Sequence, residues 1–437
     1  MLDKQEREQI IALINREVVP AIGCTEPMAV SLCVAKAAEA LGKRPSRINV
    51  LLSSNILKNA MGVGIPGTGM VGLPIAIALG ALIGKSEYEL EVLRDVTPEA
   101  VEQGRKYISE KRISIGLKKE GCPDKLYIEA LCYAENGDLS KAIIEHDHNH
   151  FVYISRTSDG QETVLLNTPQ AHALGEETCD HELSLRKVYE FAVTSPIEEL
   201  EFINEARRLN ENAAKISLRG NYGHELGKTL SRPLGRGIMG ESIFSHILSE
   251  TSSACDARMA GAMIPVMSNS GSGNQGIAAT LPVVVFGKEN HNTEEEITRA
   301  LILSHLTAIY IKQSLGKLSA LCGCVVAATG SSCGITYLMG GTYEQVAYSV
   351  KNMIANLAGM VCDGAKPSCA LKVSSGVSTA VLSAMLAIQN RYVTNVEGII
   401  EDDVDRCIHN LTRIGADGMN ETDRMVLEIM THKVGRL

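Results

Sequence analysis

Glycine-rich loops alternate with apolar helical stretches from Pro196 to the end of the sequence, and this alternation limits the possible folds more than any other feature. The loops read RGNYGHELG, SNSGSGNQG, ATGSSCG, LMGGT and SSGVS. With 39 glycines, no tryptophan and 4% aromatic residues, the composition favours closely packed helices over a sandwich or a barrel. Such loops at helix N-termini present backbone N–H groups, so they suit a small anion such as a carboxylate.

Residues 87–190 predict a different architecture, dominated by antiparallel strands. Four alternating or β-rich runs are separated by turn residues such as Asn136-Gly137. The runs are RISIGLKK, DKLYIEALCYA, KAIIEHDHN and HFVYISRT. We therefore predict an α+β fold. Residues 1–86 and 191–437 form a largely helical catalytic domain with the glycine-rich loops, and residues 87–190 form an inserted α/β domain with a mostly antiparallel sheet.

The N-terminal segment predicts helices joined by short extended pieces. Residues 4–41 have a helical pattern that is broken over Pro20–Pro27, and the run INVLLSS then predicts a short strand. Asn55–Gly69 is rich in glycine and predicts a loop. A buried helix is expected after it, over about Gly72–Leu82.

Charge and hydropathy exclude two classes of partner. The net charge is -9 and no run of Lys or Arg exceeds two residues, so the basic surface that nucleic acid requires is missing. Ala60–Gly84 is uncharged and long enough to span a bilayer, but its first half favours a loop and its helical part is too short. The charged N-terminus, MLDKQEREQIIALI, lacks the pattern of a secretory signal. We expect a cytoplasmic protein that binds neither nucleic acid nor membrane.

Five of the 12 cysteines cluster around two loops. Cys322, Cys324 and Cys333 flank ATGSSCG, and Cys362 and Cys369 bracket DGAKPS. Cytosolic thiols stay reduced, so these cysteines are free, catalytic or metal-bound. Zinc sites favour paired CxxC units, which the sequence lacks, whereas iron–sulfur clusters tolerate wider spacing. A buried cysteine can also be a simple apolar residue, and both interpretations stay open on spacing alone.

Four motifs resemble the L-cysteine desulfidase family, which is related to the α-chain of bacterial iron–sulfur L-serine dehydratases. The motifs are AIGCTEP (21–27), ILKNAMGVGIPGTG (56–69), SNSGSGNQGI (268–277) and GMVCDGAKPSC (359–369). The resemblance covers nearly the whole chain. It implies a 4Fe-4S cluster held by Cys322, Cys362 and Cys369, and it implies that Cys24 of the CTEP motif is the proton acceptor.

The resemblance further implies an elimination reaction on a small amino acid. Three thiolates leave one iron without a protein ligand, and that iron is a Lewis acid able to hold the substrate's carboxylate and its β-hydroxyl or β-thiol. The Cys24 thiolate takes the α-proton, provided that the cluster, a cation such as Lys58 or a helix N-terminus lowers its pKa. Loss of hydrogen sulfide from L-cysteine or water from L-serine then gives pyruvate and ammonia. We expect the enzyme to be a homo-oligomer.

Substrate-binding candidates follow from residue type. The loop SNSGSGNQG supplies hydroxyls and amides that suit a carboxylate and an ammonium group: Ser268, Asn269, Ser270, Ser272, Asn274 and Gln275. A polar loop with no binding role would have the same composition. Lys58 and Asn59 lie in an otherwise uncharged segment, so Lys58 is either a site cation or a surface lysine. His146, His148 and His150 would share one face of a strand. That face is either solvated or part of the site, and His148 is retained because a histidine at such a strand contributes to the site of related dehydratases.

Two other functions stay open on the sequence. A pyridoxal-phosphate dehydratase would catalyse the same net reaction, but it needs a Schiff-base lysine, for which Lys58 is the candidate. A non-enzymatic iron–sulfur redox sensor would need no substrate loop. The last cysteine is Cys407 and the chain ends in THKVGRL, so inhibition by a C-terminal cysteine, as in some related dehydratases, is not expected.

Overall fold

The computed structural model describes residues 2–118, 126–168, 183–316 and 319–433. The elements of its first half, in chain order, are α1 (Lys4–Glu17), β1 (Pro20–Ile22), α2 (Thr25–Leu41), β2 (Arg47–Leu52), α3 (Ser54–Ala60), β3 (Gly64–Ile65), β4 (Met70–Val71), α4 (Leu73–Ile83), α5 (Pro98–Ser109), β5 (Ile113–Leu117), β6 (Tyr127–Tyr133), β7 (Leu139–Glu145), β8 (Phe151–Ser158) and β9 (Gln161–Asn167). Its second half contains α6 (Leu185–Thr194), α7 (Asn204–Arg219), α8 (Leu226–Ser231), α9 (Pro233–Met239), α10 (Ile243–Met259), β10 (Pro265–Met267), α11 (Gly273–Glu289), α12 (Glu294–Leu315), α13 (Gly323–Leu338), α14 (Tyr343–Leu357), α15 (Cys369–Ile388), α16 (Val404–Arg413) and α17 (Asn420–Thr431). The predicted fold class is confirmed.

One six-stranded sheet has the strand order β5-β2-β6-β7-β8-β9, in which the β2–β5 pair is parallel and the other pairs are antiparallel. Alternate residues of β6, namely Ile128, Ala130 and Cys132, are fully buried because that face of the sheet packs on α2. The sheet joins β2, from the N-terminal segment, to the four strands predicted between residues 87 and 190. It also contains β9, a strand that the sequence did not predict.

Helix α13 occupies the centre of the helical part, where it packs on α11, α12, α14 and α15. Glycines make this close packing possible. A Cβ on Gly330 would lie 2.2 Å from the carbonyl oxygen of Ser304 in α12, and one on Gly334 would lie 2.9 Å from that of Ala300. The predicted use of small residues between helices is therefore seen at these two positions.

Strand β1 lies in the predicted break of the first helical pattern and joins it to the second half of the chain. It pairs antiparallel with β10, with Pro20 opposite Met267 and Ile22 opposite Pro265. The residues that follow β1 begin the CTEP motif, and those that follow β10 begin the SNSGSGNQG loop. This small sheet therefore places two of the four motifs side by side.

Three local predictions were wrong. Two of the predicted glycine-rich loops are helical: ATGSSCG lies within α13 and SSGVS within α15, where their glycines allow neighbouring helices to approach closely. Asn55–Ala60, predicted as loop, forms most of α3, because Ile56 and its neighbours are buried against the N-terminal core. His146, His148 and His150 do not share a strand face. They lie between the end of β7 and the start of β8, where His146 has a φ of +68°, a value typical of turns.

Helix α15 is the one helix in the described ranges that is long and apolar enough to cross a membrane. Half of its apolar window is buried within the structure, and core helices of globular proteins have the same length and composition. The shorter helix α4, in the uncharged segment considered above, is mostly buried. Its first residue follows Gly72, close to the predicted start.

Candidate active site

Main-chain pairing brings Cys322 and Cys362 together. The N–H of Cys322 donates to the carbonyl of Met360 at 2.9 Å, and the N–H of Cys362 donates to the carbonyl of Ala320 at 2.7 Å. These bonds form a short antiparallel bridge between the segment ahead of α13 and the segment that follows α14. The positions of the two cysteines are therefore fixed by the backbone, independently of any side-chain contact.

Cys369 is the first residue of α15 and is held by the loop that precedes it. Its thiol donates to the carbonyl of Gly364 at 3.6 Å. Gly364 has a φ of +88°, and a Cβ there would lie 2.2 Å from the carbonyl oxygen of Lys58, so the loop passes directly over α3. Asp363 and Lys366 form an ion pair at 2.6 Å within this loop, which stabilises its conformation. Cys322, Cys362 and Cys369, which lie 40 and seven residues apart in the sequence, therefore come together at one place.

The three predicted ligands line one cavity of about 110 Å³ together with Cys24, Arg258 and other residues. Over the described residues, no three His, Cys, Asp or Glu side chains are close enough to share a single metal ion. A 4Fe-4S cluster makes a different demand, because each cysteine binds a different iron and the sulfurs stay further apart than around one ion. Three thiols around a common cavity fit that demand. Cys324 also lines the cavity, but its thiol donates to the carbonyl of Lys372 at 3.1 Å.

The protein environment raises the pKa of all three candidate ligands and so favours their protonated form. A hydrogen bond with Cys324 raises the pKa of Cys322. The neighbouring Cys322 thiol and burial raise the pKa of Cys362 well above its usual range, and burial raises that of Cys369. Iron would reverse this preference, because a thiol that coordinates a metal loses its proton.

Four helices begin at this cavity. The first residues of α2, α11, α13 and α15, or the residues just before them, are among those that line it: Cys24, Ser272, Gly323 and Cys369. Each of these helices is at least 16 residues long. The positive ends of these four helix dipoles therefore lie at the cavity, where they stabilise thiolates and other anions.

A second cavity of about 640 Å³ adjoins the first. The residues that line both are Glu26, Asn59, Gly271, Ser272, Gln275, Gly323 and Cys362. Four buried polar atoms at the walls of this joint site have no hydrogen-bond partner among the residues that the structure describes: Asn59 Oδ1, His148 Nε2, Arg258 Nε and Gln275 Oε1. Buried polar atoms are rarely left unpaired, so this set indicates a site for a polar ligand.

Cys24 is buried at the start of α2 and donates to Glu26 Oε2 at 2.9 Å. The other oxygen of Glu26 accepts from Asn59 Nδ2 at 2.9 Å. Burial and the charge of Glu26 raise the pKa of the Cys24 thiol well above its usual range, against the opposing effect of Arg258. The structure thus places the predicted proton acceptor at the site as a neutral thiol hydrogen-bonded to a carboxylate.

The SNSGSGNQG loop is shaped by two left-handed residues, Ser270 (φ 47°) and Gly271 (φ 78°), and Ser272 caps α11 by accepting from the N–H of Gln275 at 3.4 Å. The hydroxyl of Thr25 donates to the carbonyl of Gly271 at 3.2 Å and links the loop to the CTEP motif. The members of the loop that line the two cavities are Ser268, Ser270, Ser272, Asn274 and Gln275. His148 and Asn59 line the larger cavity as well.

Two predicted site residues do not line either cavity. Asn269 is fully buried, and its amide donates to Nδ1 and to the carbonyl of His305, each at 3.1 Å. Lys58 is 1% exposed and pairs with Asp423 of α17. The structure therefore brings the other predicted site residues together around the two cavities and leaves Asn269 and Lys58 outside them.

Two cations at the site were missed by the sequence analysis. Lys312 of α12 is buried at the wall of the larger cavity and makes no hydrogen bond or ion pair with a described residue. Burial lowers its pKa to about 8. Arg258 of α10 lines the thiol cavity and donates to Asn274 Oδ1 at 3.1 Å. In the sequence, Lys312 can be noticed as the single charge that ends the apolar run ALILSHLTAIYI. Arg258 is almost fully buried in the structure.

Comparisons to known proteins assign the chain to a family. The chain belongs to the serine dehydratase alpha chain family, whose sequence profile matches residues 87–428. Characterised members of that family depend on an iron–sulfur cluster. The chain is also 69% identical to a UPF0597 protein of Phocaeicola vulgatus over 99% of both chains, and 68% identical to UPF0597 protein BF3560 of Bacteroides fragilis over 99% of this chain and 100% of that one. A UPF0597 protein of Aeromonas hydrophila is 42% identical over 98% of this chain and 97% of its own.

Proposed function

We infer that this protein is an iron–sulfur-dependent lyase of the L-cysteine desulfidase type, which eliminates hydrogen sulfide from L-cysteine or water from L-serine to give pyruvate and ammonia. The observation that carries this proposal is the joint site, in which three thiols line one cavity and unpaired polar atoms line the adjoining one. Cys322, Cys362 and Cys369 would hold a 4Fe-4S cluster, which supplies an open iron as a Lewis acid.

The free polar groups complement an amino-acid zwitterion. The Lys312 ammonium, the helix starts and Arg258 provide positive charge for the carboxylate. The unpaired oxygens of Asn59 and Gln275 are acceptors for the ammonium group. Cys24 lines the thiol cavity and donates to Glu26, which lines both cavities, so its thiol is in a position suited to accept the α-proton.

A redox sensor is disfavoured by the larger cavity, since electron transfer needs no unpaired polar groups around a space of about 640 Å³. The pyridoxal-phosphate alternative is weakened because its candidate lysine, Lys58, is paired with Asp423 and lies outside both cavities.

The direct test is release of pyruvate and ammonia by the anaerobically reconstituted protein from L-cysteine and L-serine. We expect release from at least one of the two, loss of activity in air, and no activity in protein from which iron has been removed. Turnover by iron-free protein, or none by protein with a full complement of iron and sulfide, would rule the proposal out.

A further inference from the structure

Glu26 is the side chain bonded to the Cys24 thiol, and the lyase proposal gives it no role of its own. Its two oxygens accept hydrogen bonds from Cys24 and from Asn59, each at 2.9 Å. Glu26 lies in the first turn of α2 and lines both cavities. The carboxylate is therefore fixed at both oxygens and borders the space in which an amino acid would lie.

The charges around this pair favour a neutral thiol and an ionised carboxylate. Burial raises the pKa of Glu26, but His148, the Cys24 hydrogen bond and Arg258 outweigh it and leave the pKa below its usual range. The Lys312 ammonium also acts on Glu26, from α12. Burial of the Cys24 thiol makes a free thiolate the costly state. A route that avoids a free thiolate is therefore easier than one that requires it.

We propose that Glu26 is the final acceptor of the substrate's α-proton, which reaches it through the Cys24 thiol. As the Cα–H bond breaks, its proton forms a new S–H bond, while the original thiol proton moves to Glu26 Oε2. The electron pair left at Cα expels the β-substituent. Glu26 then gives its proton to the departing sulfide or hydroxide, so that the thiol and the carboxylate return to their resting states. Glu26 therefore acts as an acid and base in this scheme, which rests on the lyase activity proposed above.

Glu26→Gln tests the scheme because it removes the charge but keeps the size. The pH dependence of Cys24 alkylation is measured by peptide mass spectrometry with no substrate present. Its midpoint should lie at lower pH in the variant, because the carboxylate that opposes thiolate formation is gone. Pyruvate release near neutral pH nonetheless falls by about 10²–10⁴-fold. The difference in pyruvate release between the variant and the wild type becomes smaller at high pH, because a free thiolate can accept the proton there without Glu26.

The competing scheme, with Cys24 thiolate as the sole base, predicts the opposite activity. A thiol that ionises more easily would leave Glu26→Gln at least as active as the wild type, and that result would overturn the inference. Glu26→Asp keeps the charge and should recover part of the rate. Glu39→Gln is the matched control, since Glu39 lies in the same helix, has an exposed side chain and lines neither cavity, so both measurements should stay unchanged.

Iron and sulfide content and the circular dichroism spectrum show whether each variant is folded and loaded. A wild type that releases no pyruvate overturns the lyase proposal and with it the scheme. An active wild type with an unshifted alkylation midpoint and full activity in Glu26→Gln overturns the Glu26 inference alone.

Discussion

The two ends of the candidate site are built in different ways. The thiol end consists of Cys322, Cys362 and Cys369, which are positioned by main-chain bonds and helix starts. The polar end consists of Asn59, His148, Gln275 and Lys312, whose side chains reach the larger cavity from four separate elements. The comparison teaches that the candidate cluster ligands are held by main-chain geometry, whereas the polar groups of the larger cavity come together only through the packing of distant parts of the chain.

Substitution at the thiol end should have the largest effect. We expect Cys322→Ser, Cys362→Ser and Cys369→Ser each to abolish both cluster and turnover, because a hydroxyl is a poor iron ligand. The measurement is anaerobic iron and sulfide analysis with pyruvate release. Cys333→Ser is the control, because Cys333 is fully buried within α13 but lines neither cavity. Equal losses in the control would show that the effect is structural.

Lys312→Met should raise KM at the polar end while leaving the iron content intact. Removing a charged partner of the substrate carboxylate costs about 1.5–3 kcal/mol, or about 10–100-fold in KM. The pKa of Lys312, lowered to about 8 by burial, makes the ammonium lose its proton above that pH. Wild-type KM should therefore rise as pH increases through about 8, and KM of the variant should not follow it.

Lys351→Met controls for the loss of a buried lysine. Lys351 is as buried as Lys312, donates to the carbonyl of Asp402 at 2.8 Å and lies outside both cavities. An unchanged KM in Lys312→Met, or an equal rise in Lys351→Met, would mean that Lys312 does not bind the carboxylate.

Gly273→Ala should disturb the junction of the two ends by a smaller amount. A Cβ at this position would lie 2.2 Å from Arg258 Nε, so the guanidinium must move away from the thiol cavity. Overpacking of this kind costs about 1–3 kcal/mol, and we expect activity to fall by about tenfold. Pyruvate release and thermal unfolding measure the two effects. Gly237→Ala, where nothing lies within 4 Å of the new Cβ, should change neither. Full activity in Gly273→Ala would show that the position of Arg258 is unimportant.

Lys58→Met should have the smallest effect on catalysis. The variant leaves Asp423 without its partner at a nearly fully buried site and should lower the free energy of unfolding by about 3 kcal/mol. KM should change by less than about threefold, because Lys58 lines neither cavity. Urea unfolding and steady-state kinetics separate the two effects. A tenfold rise in KM with unchanged stability would instead support the sequence prediction that Lys58 binds substrate.

The residues of the two ends were reached from the sequence by different routes. Cys362 and Cys369 stand in the motif GMVCDGAKPSC, whereas Cys322 lies outside the four motifs and was implied by the family resemblance. Their role as cluster ligands stays a prediction. Lys312 and Arg258 reach the site only because α12 and α10 pack against the helix starts, and helix-to-helix packing has no local signature. Glu26 stood within the quoted CTEP motif but was given no role, because its contact with Cys24 depends on how α2 begins.

The fold likewise divides into features that follow local sequence and features that depend on long-range packing. The helical pattern, the mostly antiparallel sheet and the buried helix after Gly72 follow local periodicity, and the prediction of fold class was confirmed. The pairing of β2 with β6 joins segments about 80 residues apart and could not be seen in either alone. Alternating histidines favoured a strand, yet His148 lies in a turn, because the strand ends at Glu145. The domain boundaries at residues 87 and 190 stay predictions.

The central claim is that a cluster held at the thiol end presents an open iron to a ligand bound at the polar end. Mössbauer spectroscopy of protein reconstituted anaerobically with enriched iron, with and without L-cysteine or L-serine, tests it most directly. The account predicts that about a quarter of the iron signal, from the one iron without a protein ligand, changes when the amino acid binds. A spectrum that stays the same at saturating amino acid, or protein that takes up no cluster, would contradict it.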